Sequence, residues 1–137
     1  YDAVAKAAGS IPVLAYHWPA MSPPGIDLAV LGDLPVAGLK DSTGNPERLL
    51  AELDAWQGPV YVGSSALLAM AGLVGAAGAI LALANAEPEA CVAAFAGDGR
   101  AQRDLAAAHF AALHSFPRGV KELTAKRFGT SSVTRMG

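Results

Sequence analysis

Four short apolar runs recur along the first part of the chain, separated by segments of helical character. The runs cover residues 11–16, 35–39, 60–63 and 79–82 and consist largely of Val, Ile, Leu, Ala and Tyr. Continuous apolar runs of this length are typical of strands buried on both faces, as in a parallel sheet. They start roughly 20–25 residues apart, which is the spacing of βα units. The pattern therefore predicts an α/β fold with a parallel sheet.

The segments between the runs, residues 26–31, 46–56 and 66–74, are predicted to be helices. The middle one is the clearest, because Asn45 can cap it and Pro46 suits its first position. Its apolar residues fall at helical spacing and predict one buried stripe. The stripe comprises Leu49, Leu50, Leu53 and Trp56.

Beyond the fourth run the chain is predicted to be helical. One helix extends from Pro88 to about Ala96, a longer one from about Arg100 to Leu113, and a last one covers about Gly119–Phe128. The pattern predicts four βα units over residues 1–96 with a helical extension of the same domain over residues 97–137, or half of a (β/α)8 TIM barrel. Because the chain starts at Tyr1, within what resembles the end of a helix, we expect it to be part of a longer protein.

Composition narrows the class of protein. A hydrophobic content of 53% with 16% charged residues excludes a disordered chain, and a net charge of −2 gives no basic surface for nucleic acid. The single cysteine, Cys91, excludes an internal disulfide and fits a reducing compartment, so we expect a cytoplasmic protein. No charged residue lies between Asp54 and Glu87, which leaves a membrane span as an alternative. Gly58-Pro59 interrupts that stretch and no basic cluster flanks it, which disfavours the alternative.

Lys40 carries the strongest chemical signal. It ends the apolar run that begins at Val36, while Tyr16 ends the first run in the same way. A neutral lysine can form an imine with a ketone, and a nearby phenol can relay protons. From position alone, a lysine at a strand end is more often a rim or salt-bridge residue than a nucleophile, and Tyr16 would be interpreted as a core tyrosine. Asp41 is a poor partner for Lys40, since adjacent strand residues point to opposite faces.

Several motifs in register resemble one enzyme family. They are Tyr16-His17-Trp18-Pro19, Gly38-Leu39-Lys40-Asp41-Ser42-Thr43-Gly44-Asn45, Val62-Gly63-Ser64, Gly75-Ala76-Ala77-Gly78-Ala79-Ile80, and then Asn85. Together they resemble the dihydrodipicolinate synthase / N-acetylneuraminate lyase family, which are pyruvate-dependent class I aldolases on a (β/α)8 barrel. The similarity extends from about Ile11 to Phe95, and more loosely through the helical tail.

The resemblance implies roles for particular residues. Lys40 would be the Schiff-base lysine and Tyr16 the proton relay. Gly63 and Ile80 would line the pyruvate pocket largely through their backbones, with Ser65 as a further substrate-binding residue. Imine chemistry would need no metal or other cofactor. The partners implied are a small-molecule substrate and further copies in a tetramer or dimer, with no nucleic acid and no membrane.

Departures from the family pattern narrow the range of substrates that the resemblance implies. Dihydrodipicolinate synthases usually carry an arginine where Met21 stands here, so that reaction is disfavoured. Sialic-acid lyases carry acidic side chains and a serine where Ser65, Ala66 and Ala82 stand, which indicates a smaller or less hydroxylated aldehyde. Retro-aldol cleavage of a 2-keto acid to pyruvate is therefore the preferred interpretation.

One family feature has no counterpart in this sequence, the Thr-Thr pair of the N-terminal half-barrel that binds the pyruvate carboxylate. A half-barrel also leaves two sheet edges open, which isolated domains avoid. We therefore expect an N-terminal half-barrel to complete the site, in the same chain or a separate one. The alternative is a non-catalytic half-barrel that binds keto acids or mediates assembly. His17, His109 and His114 show no ligand spacing with each other or with Cys91 and are interpreted as structural or surface residues, and Cys91 as a packing residue.

Overall fold

A computed structural model describes residues 1–135 and places four strands in one parallel sheet. The strands are β1 (Leu14–His17), β2 (Gly38–Asp41), β3 (Val60–Val62) and β4 (Gly78–Ala79), and they neighbour one another in chain order. The predicted α/β architecture with a parallel sheet is therefore confirmed. Met136 and Gly137, the end of the predicted helical extension, lie outside the described residues.

The strand boundaries differ from the prediction. β1 and β2 each begin and end later than their apolar runs, so that Lys40 and Asp41 lie inside β2. Pro12 is the second residue of the first run and Pro35 the first of the second, and neither can donate to a sheet ladder. Ile11 is exposed, so the paired segments start after these positions. β4 is shorter than predicted and starts earlier, although the backbone N–H of Ile80 still donates to the carbonyl of Val62 at 2.9 Å.

Eight α-helices and two 3-10 turns accompany the sheet within residues 1–135. The helices are α1 (Asp2–Ala8), α2 (Leu28–Leu31), α3 (Pro46–Ala55), α4 (Leu68–Leu73), α5 (Pro88–Phe95), α6 (Gly99–Asp104), α7 (Ala106–His114) and α8 (Arg118–Phe128), and the 3-10 turns are Ser65–Leu67 and Leu83–Asn85. The single long helix predicted over residues 100–113 is wrong, because the chain forms α6 and α7. Leu105 separates them with a ψ of −15°, and its buried side chain is part of the core.

Helix α3 begins as predicted. The Asn45 side chain accepts hydrogen bonds from the backbone N–H groups of Glu47 at 2.8 Å and Arg48 at 3.1 Å, which satisfies two otherwise unpaired donors. The predicted apolar stripe is wrong at one position, since Leu50 is 47% exposed. Glu52 takes a fully buried place on the face that packs against the sheet.

The hydrophobic core lies between the sheet and the helices. Its larger cluster extends from Leu49 and Val62 through Leu83 to Leu105 and Val120, and therefore joins β3 and α3 to the helical tail. A smaller cluster forms around Ala15, Leu31 and Leu39. The alternation of residues along the strands buries one sheet face under α2 and α3.

The opposite face of the sheet is open, and we call it the interior face. Its residues alternate with the buried ones and share rows through the strand register. They are Leu14, Tyr16, Gly38, Lys40, Tyr61, Gly78 and Ile80. Leu14 and Ile80 are each 39% exposed on it, although both are aliphatic. None of the helices within residues 1–135 is long and apolar enough to cross a membrane.

Candidate active site

Lys40 and Tyr16 meet on the interior face. The two residues are register partners across β1 and β2, each one position before the end of its strand. The Lys40 Nζ lies 4.4 Å from the centroid of the Tyr16 ring, a cation–π distance. Among residues 1–135, Lys40 forms neither an ion pair nor a side-chain hydrogen bond. Its amine is thus held against a phenol and is otherwise unengaged.

Tyr61 flanks Lys40 on the other side, as its register partner in β3. Its ring covers two glycines of the interior face. A Cβ added at Gly38 would lie 3.2 Å from Tyr61 Cε2, and one at Gly78 would lie 3.2 Å from Tyr61 Cδ1. Gly38 lies two residues before Lys40 on the same face of β2. The Tyr61 ring, which contacts Gly38, therefore leans toward the amino end of the strands. Tyr61 thereby forms a floor beside Lys40, a role that the sequence interpretation missed.

An aromatic wall extends outward from Tyr16. The Trp18 ring lies 6.0 Å from that of Tyr16 at an interplanar angle of 42°, and the Phe116 ring lies 6.4 Å from Trp18 at 85°. Both geometries are favourable for aromatic pairs. Phe116 comes from the segment between α7 and α8, so the helical tail reaches the carboxyl end of the sheet. Phe116 was not identified from the sequence, because no local pattern reveals this contact.

Gly63 and Ile80 follow β3 and β4 at the carboxyl edge of the sheet. The N–H of Gly63 donates to the carbonyl of Asp41 at 2.6 Å. A Cβ at Gly63 would lie 2.0 Å from Ser42 Oγ and 3.0 Å from Ser42 Cα, so glycine is required for this approach. Ile80 is 39% exposed on the interior face. Both residues thus lie where substrate-binding loops are found in barrels.

Ser65 is hydrogen-bonded to the helical tail, the segment of residues 97–137. It is 6% exposed, and its Oγ lies 2.8 Å from Nδ1 of His109 on α7. Burial lowers the pKa of His109, which favours the neutral imidazole in this pair. The Ser65 carbonyl also accepts from Gln102 Nε2 at 2.9 Å. The hydroxyl is therefore engaged by His109, and its contact with substrate stays a prediction.

A polar cluster lies on the opposite sheet face, beneath α3. His17, Asp41 and Glu52 are all buried and offer ligand atoms within 4.8 Å of one another. Asp41 accepts from the N–H of Thr43 at 2.9 Å and from its hydroxyl at 2.8 Å. His17 Nδ1 accepts from the N–H of Ile26 at 2.8 Å. Most acceptors in the cluster are thus occupied, and Asp41 is separated from Lys40 by the sheet.

Arg48 supplies the positive charge of this polar cluster. Its Nε donates to Glu52 Oε1 at 2.6 Å, and its Nη2 donates to the carbonyl of Ile26 at 2.8 Å. Glu52 Oε2 has no partner among the described residues. Burial raises the pKa of Glu52 to about 7, although the Arg48 hydrogen bond opposes the shift. Burial, and next Arg48, lower the pKa of His17. The imidazole of His17 and the carboxylates of Asp41 and Glu52 are groups that can bind a metal cation. The guanidinium of Arg48 already provides a positive charge in this cluster.

The sequence did contain one signal for this polar cluster. Glu52 falls within the apolar stripe of α3, between Leu49 and Leu53, where a solvated charge is not expected. His17 was assessed for ligand spacing only against the other histidines and Cys91, and Asp41 only as a partner for Lys40. The proximity of His17 to Asp41 depends on the strand register that pairs them.

A short parallel sheet with lysine and tyrosine paired near its carboxyl edge, covered by helices on one face and open on the other, defines half of a (β/α)8 barrel. Comparison with solved structures agrees. The chain is 28% identical to the KD(P)GA of T. tenax, with a TM-score of 0.80 over 96% of this chain and 52% of that one. It is 25% identical to the chloride-inhibited dihydrodipicolinate synthase of Acinetobacter baumannii complexed with pyruvate, with a TM-score of 0.77 over 99% and 54%.

A third similar structure is a 2-keto-3-deoxygluconate aldolase variant of Sulfolobus solfataricus. The chain is 23% identical to it, with a TM-score of 0.74 over 88% of this chain and 45% of that one. At this identity the comparison supports the fold alone. No family model and no curated protein sequence matches the chain. The resemblance to the dihydrodipicolinate synthase / N-acetylneuraminate lyase family is nevertheless confirmed by the first two structures. The chain spans about half the length of the structures it matches.

Proposed function

We propose that this chain is the lysine-bearing half of a class I aldolase or lyase that cleaves or forms a 2-keto acid, with pyruvate as one component. The observation that carries the proposal is the pairing of Lys40 with Tyr16 at the carboxyl end of adjacent strands. Active sites of (β/α)8 barrels lie at this end. The Acinetobacter baumannii synthase, which shares the fold, was solved with pyruvate bound.

In the cleavage direction, the neutral amine of Lys40 attacks the ketone carbon of the 2-keto acid, and loss of water gives a protonated imine. The Tyr16 hydroxyl relays the proton of the C4 hydroxyl to water as the C3–C4 bond breaks, accepting that proton while it releases its own. The bonding electrons move into the imine, which becomes an enamine, and the aldehyde leaves. Protonation of C3 and hydrolysis then release pyruvate and restore Lys40. In this scheme Gly63, Ile80 and Ser65 shape the pocket.

An N-terminal half-barrel completes the site in this proposal. The interior face is open, β1 and β4 are the edge strands of the described sheet, and the chain spans about half of its structural neighbours. A closed barrel would pair both edges and cover Leu14 and Ile80. We place the complete enzyme in the cytoplasm as a homo-oligomer, a tetramer or a dimer. The same open face supports the alternative of a non-catalytic half-barrel that binds keto acids or mediates assembly.

A dihydrodipicolinate synthase reaction is the alternative within the family. Met21, which stands where those enzymes usually carry an arginine, is 69% exposed on the loop after β1. A thioether cannot pair with a carboxylate, so a second substrate that is an anion has no cation at this position. We therefore retain cleavage of a 2-keto acid as the proposed reaction.

Borohydride trapping tests the proposal. The full-length protein is incubated with pyruvate, reduced with sodium borohydride and mapped by peptide mass spectrometry. We expect a pyruvyl adduct on Lys40, its loss in Lys40→Met, and its retention in Lys6→Met, since Lys6 lies on α1 away from the strand ends. An unmodified Lys40 in the full-length protein would contradict the imine mechanism. Trapping without turnover of any 2-keto acid would favour the non-catalytic alternative.

A further inference from the structure

The loops that follow the four strands carry no charged residue. They cover residues 18–26, 42–45, 63–67 and 80–86, and consist of apolar, hydroxyl, amide, glycine and proline residues. In a parallel barrel these loops surround the entrance to the site. Asp27, the first charge after β1, caps α2 by accepting from the N–H of Ala29. Among the interior-face residues and these four loops, Lys40 is thus the only charged residue.

The aromatic wall described above stands at the same entrance. Trp18 is the first residue of the loop after β1, and its carbonyl accepts from the N–H groups of Met21 at 3.0 Å and Ser22 at 2.9 Å. These bonds close a turn at the base of the loop. Phe116 packs edge-on against Trp18 and is still 53% exposed, so part of this apolar surface remains open.

A neutral, aromatic entrance discriminates between aldehydes. A phosphate or carboxylate on the aldehyde would lose hydration there without gaining a charged partner from this half. Several hydroxyl and amide side chains of these loops are already engaged within the protein: Thr43 donates to Asp41, Ser65 pairs with His109, and Asn45 caps α3. A polyol therefore has fewer free partners there than the loop composition suggests. A planar apolar group, in contrast, can stack on Trp18 or meet Phe116 edge-to-face, and its burial is favourable.

Building on the proposed function, we propose that the aldehyde formed or consumed beside Lys40 carries an aromatic substituent, which binds against Trp18 and Phe116. The helical tail then takes part in substrate selection, because Phe116 belongs to it. Tyr16 remains the proton relay and serves as the inner end of the same wall.

Aldol addition to pyruvate with three probe aldehydes tests the proposal in the full-length protein. The probes are benzaldehyde, D-glyceraldehyde and D-glyceraldehyde 3-phosphate. We expect kcat/KM for benzaldehyde to exceed those of the other two by about tenfold or more. Trp18→Ala should lower kcat/KM for benzaldehyde by about tenfold or more and change that for glyceraldehyde by less than about threefold.

Three further variants sharpen the test. Phe116→Ala should act in the same direction as Trp18→Ala, while Trp18→Phe keeps a ring and should retain the preference. Phe110→Ala is the matched control, because Phe110 is 69% exposed and packs against His109. It should leave the preference unchanged.

Borohydride trapping of pyruvate on Lys40 is run on every variant. Trapping with a preference for either glyceraldehyde, or with a benzaldehyde preference that survives both Trp18→Ala and Phe116→Ala, overturns the aromatic proposal and leaves the imine mechanism standing. Absence of trapping in the unsubstituted protein overturns both.

Discussion

Tyr16 and Lys40 occupy the same row of the parallel sheet, with the lysine Nζ 4.4 Å from the centroid of the phenol ring. Register partners in adjacent parallel strands project from the same face, so this contact is built into the sheet and does not depend on a flexible loop. Tyr61, on the opposite side of Lys40, shares the row but leans over Gly38 and Gly78. The two tyrosines are therefore expected to differ in function.

Removing the Tyr16 hydroxyl is predicted to separate proton transfer from imine formation. In the full-length protein, Tyr16→Phe should lower kcat for 2-keto acid cleavage by about 10²–10⁴-fold, the usual size of a general acid–base contribution. Borohydride trapping of pyruvate on Lys40 should persist. Tyr61→Phe is the matched control and should change kcat by less than about threefold. Equal losses in both variants would show that Tyr16 has no special role.

Gly63 is predicted to tolerate no side chain. In Gly63→Ala the new Cβ would meet Ser42 at both its side chain and its backbone, so the turn after β2 or β3 must shift. We expect a loss of about 1–3 kcal/mol in the free energy of unfolding, measured by urea denaturation. Gly32→Ala is the control, because a Cβ there has open space and the φ of −68° suits alanine. A Gly63→Ala protein as stable as Gly32→Ala would refute the predicted clash.

The apolar stripe of α3 is predicted to depend on Leu49 and not on Leu50. Leu49 is fully buried, and Leu49→Ala should cost about 2–5 kcal/mol in the free energy of unfolding through lost burial and the cavity left behind. Leu50 is 47% exposed, and Leu50→Ala should change it by no more than about 0.5 kcal/mol. Thermal and urea unfolding of the two variants give the comparison. A similar cost at both positions would place Leu50 in the core after all.

Glu52 is predicted to make stability depend on pH near neutrality. Its pKa is about 7 in the folded protein against an ordinary value of 4.5, so the folded state holds the proton more tightly than the unfolded chain. The stabilisation that protonation gives is complete below about pH 4.5 and is lost as the pH rises to about 7. The shift corresponds to about 3 kcal/mol.

Glu52→Gln isolates this effect, because the amide does not titrate while His17 and His109 titrate in both proteins. The free energy of unfolding of the unsubstituted protein, relative to Glu52→Gln, should fall by about 3 kcal/mol between about pH 4 and pH 8. Urea unfolding at a series of pH values measures the difference. A difference that does not vary with pH would mean that Glu52 keeps an ordinary pKa in the folded protein.

Several predictions from the sequence depended on local interactions, and these agree with the structure. The Asn45 cap and the Pro46 start of α3 were found because capping involves residues only a few positions apart. The strand boundaries were less accurate. Hydrophobicity indicates which residues are buried, but a strand also needs backbone N–H groups that pair with the neighbouring strand. Pro12 and Pro35 have no backbone N–H, so the strands start after them.

The amino-acid sequence by itself determined the order of strands and helices, and it placed Tyr16 and Lys40 near the ends of neighbouring strands. Alternation, capping and chain spacing are local, so they can be recognised without the folded structure. Only the tertiary structure decided that Trp18 meets Phe116 and that Ser65 meets His109. Such contacts join residues far apart in the chain, and they depend on strand register and helix packing, which no local pattern specifies.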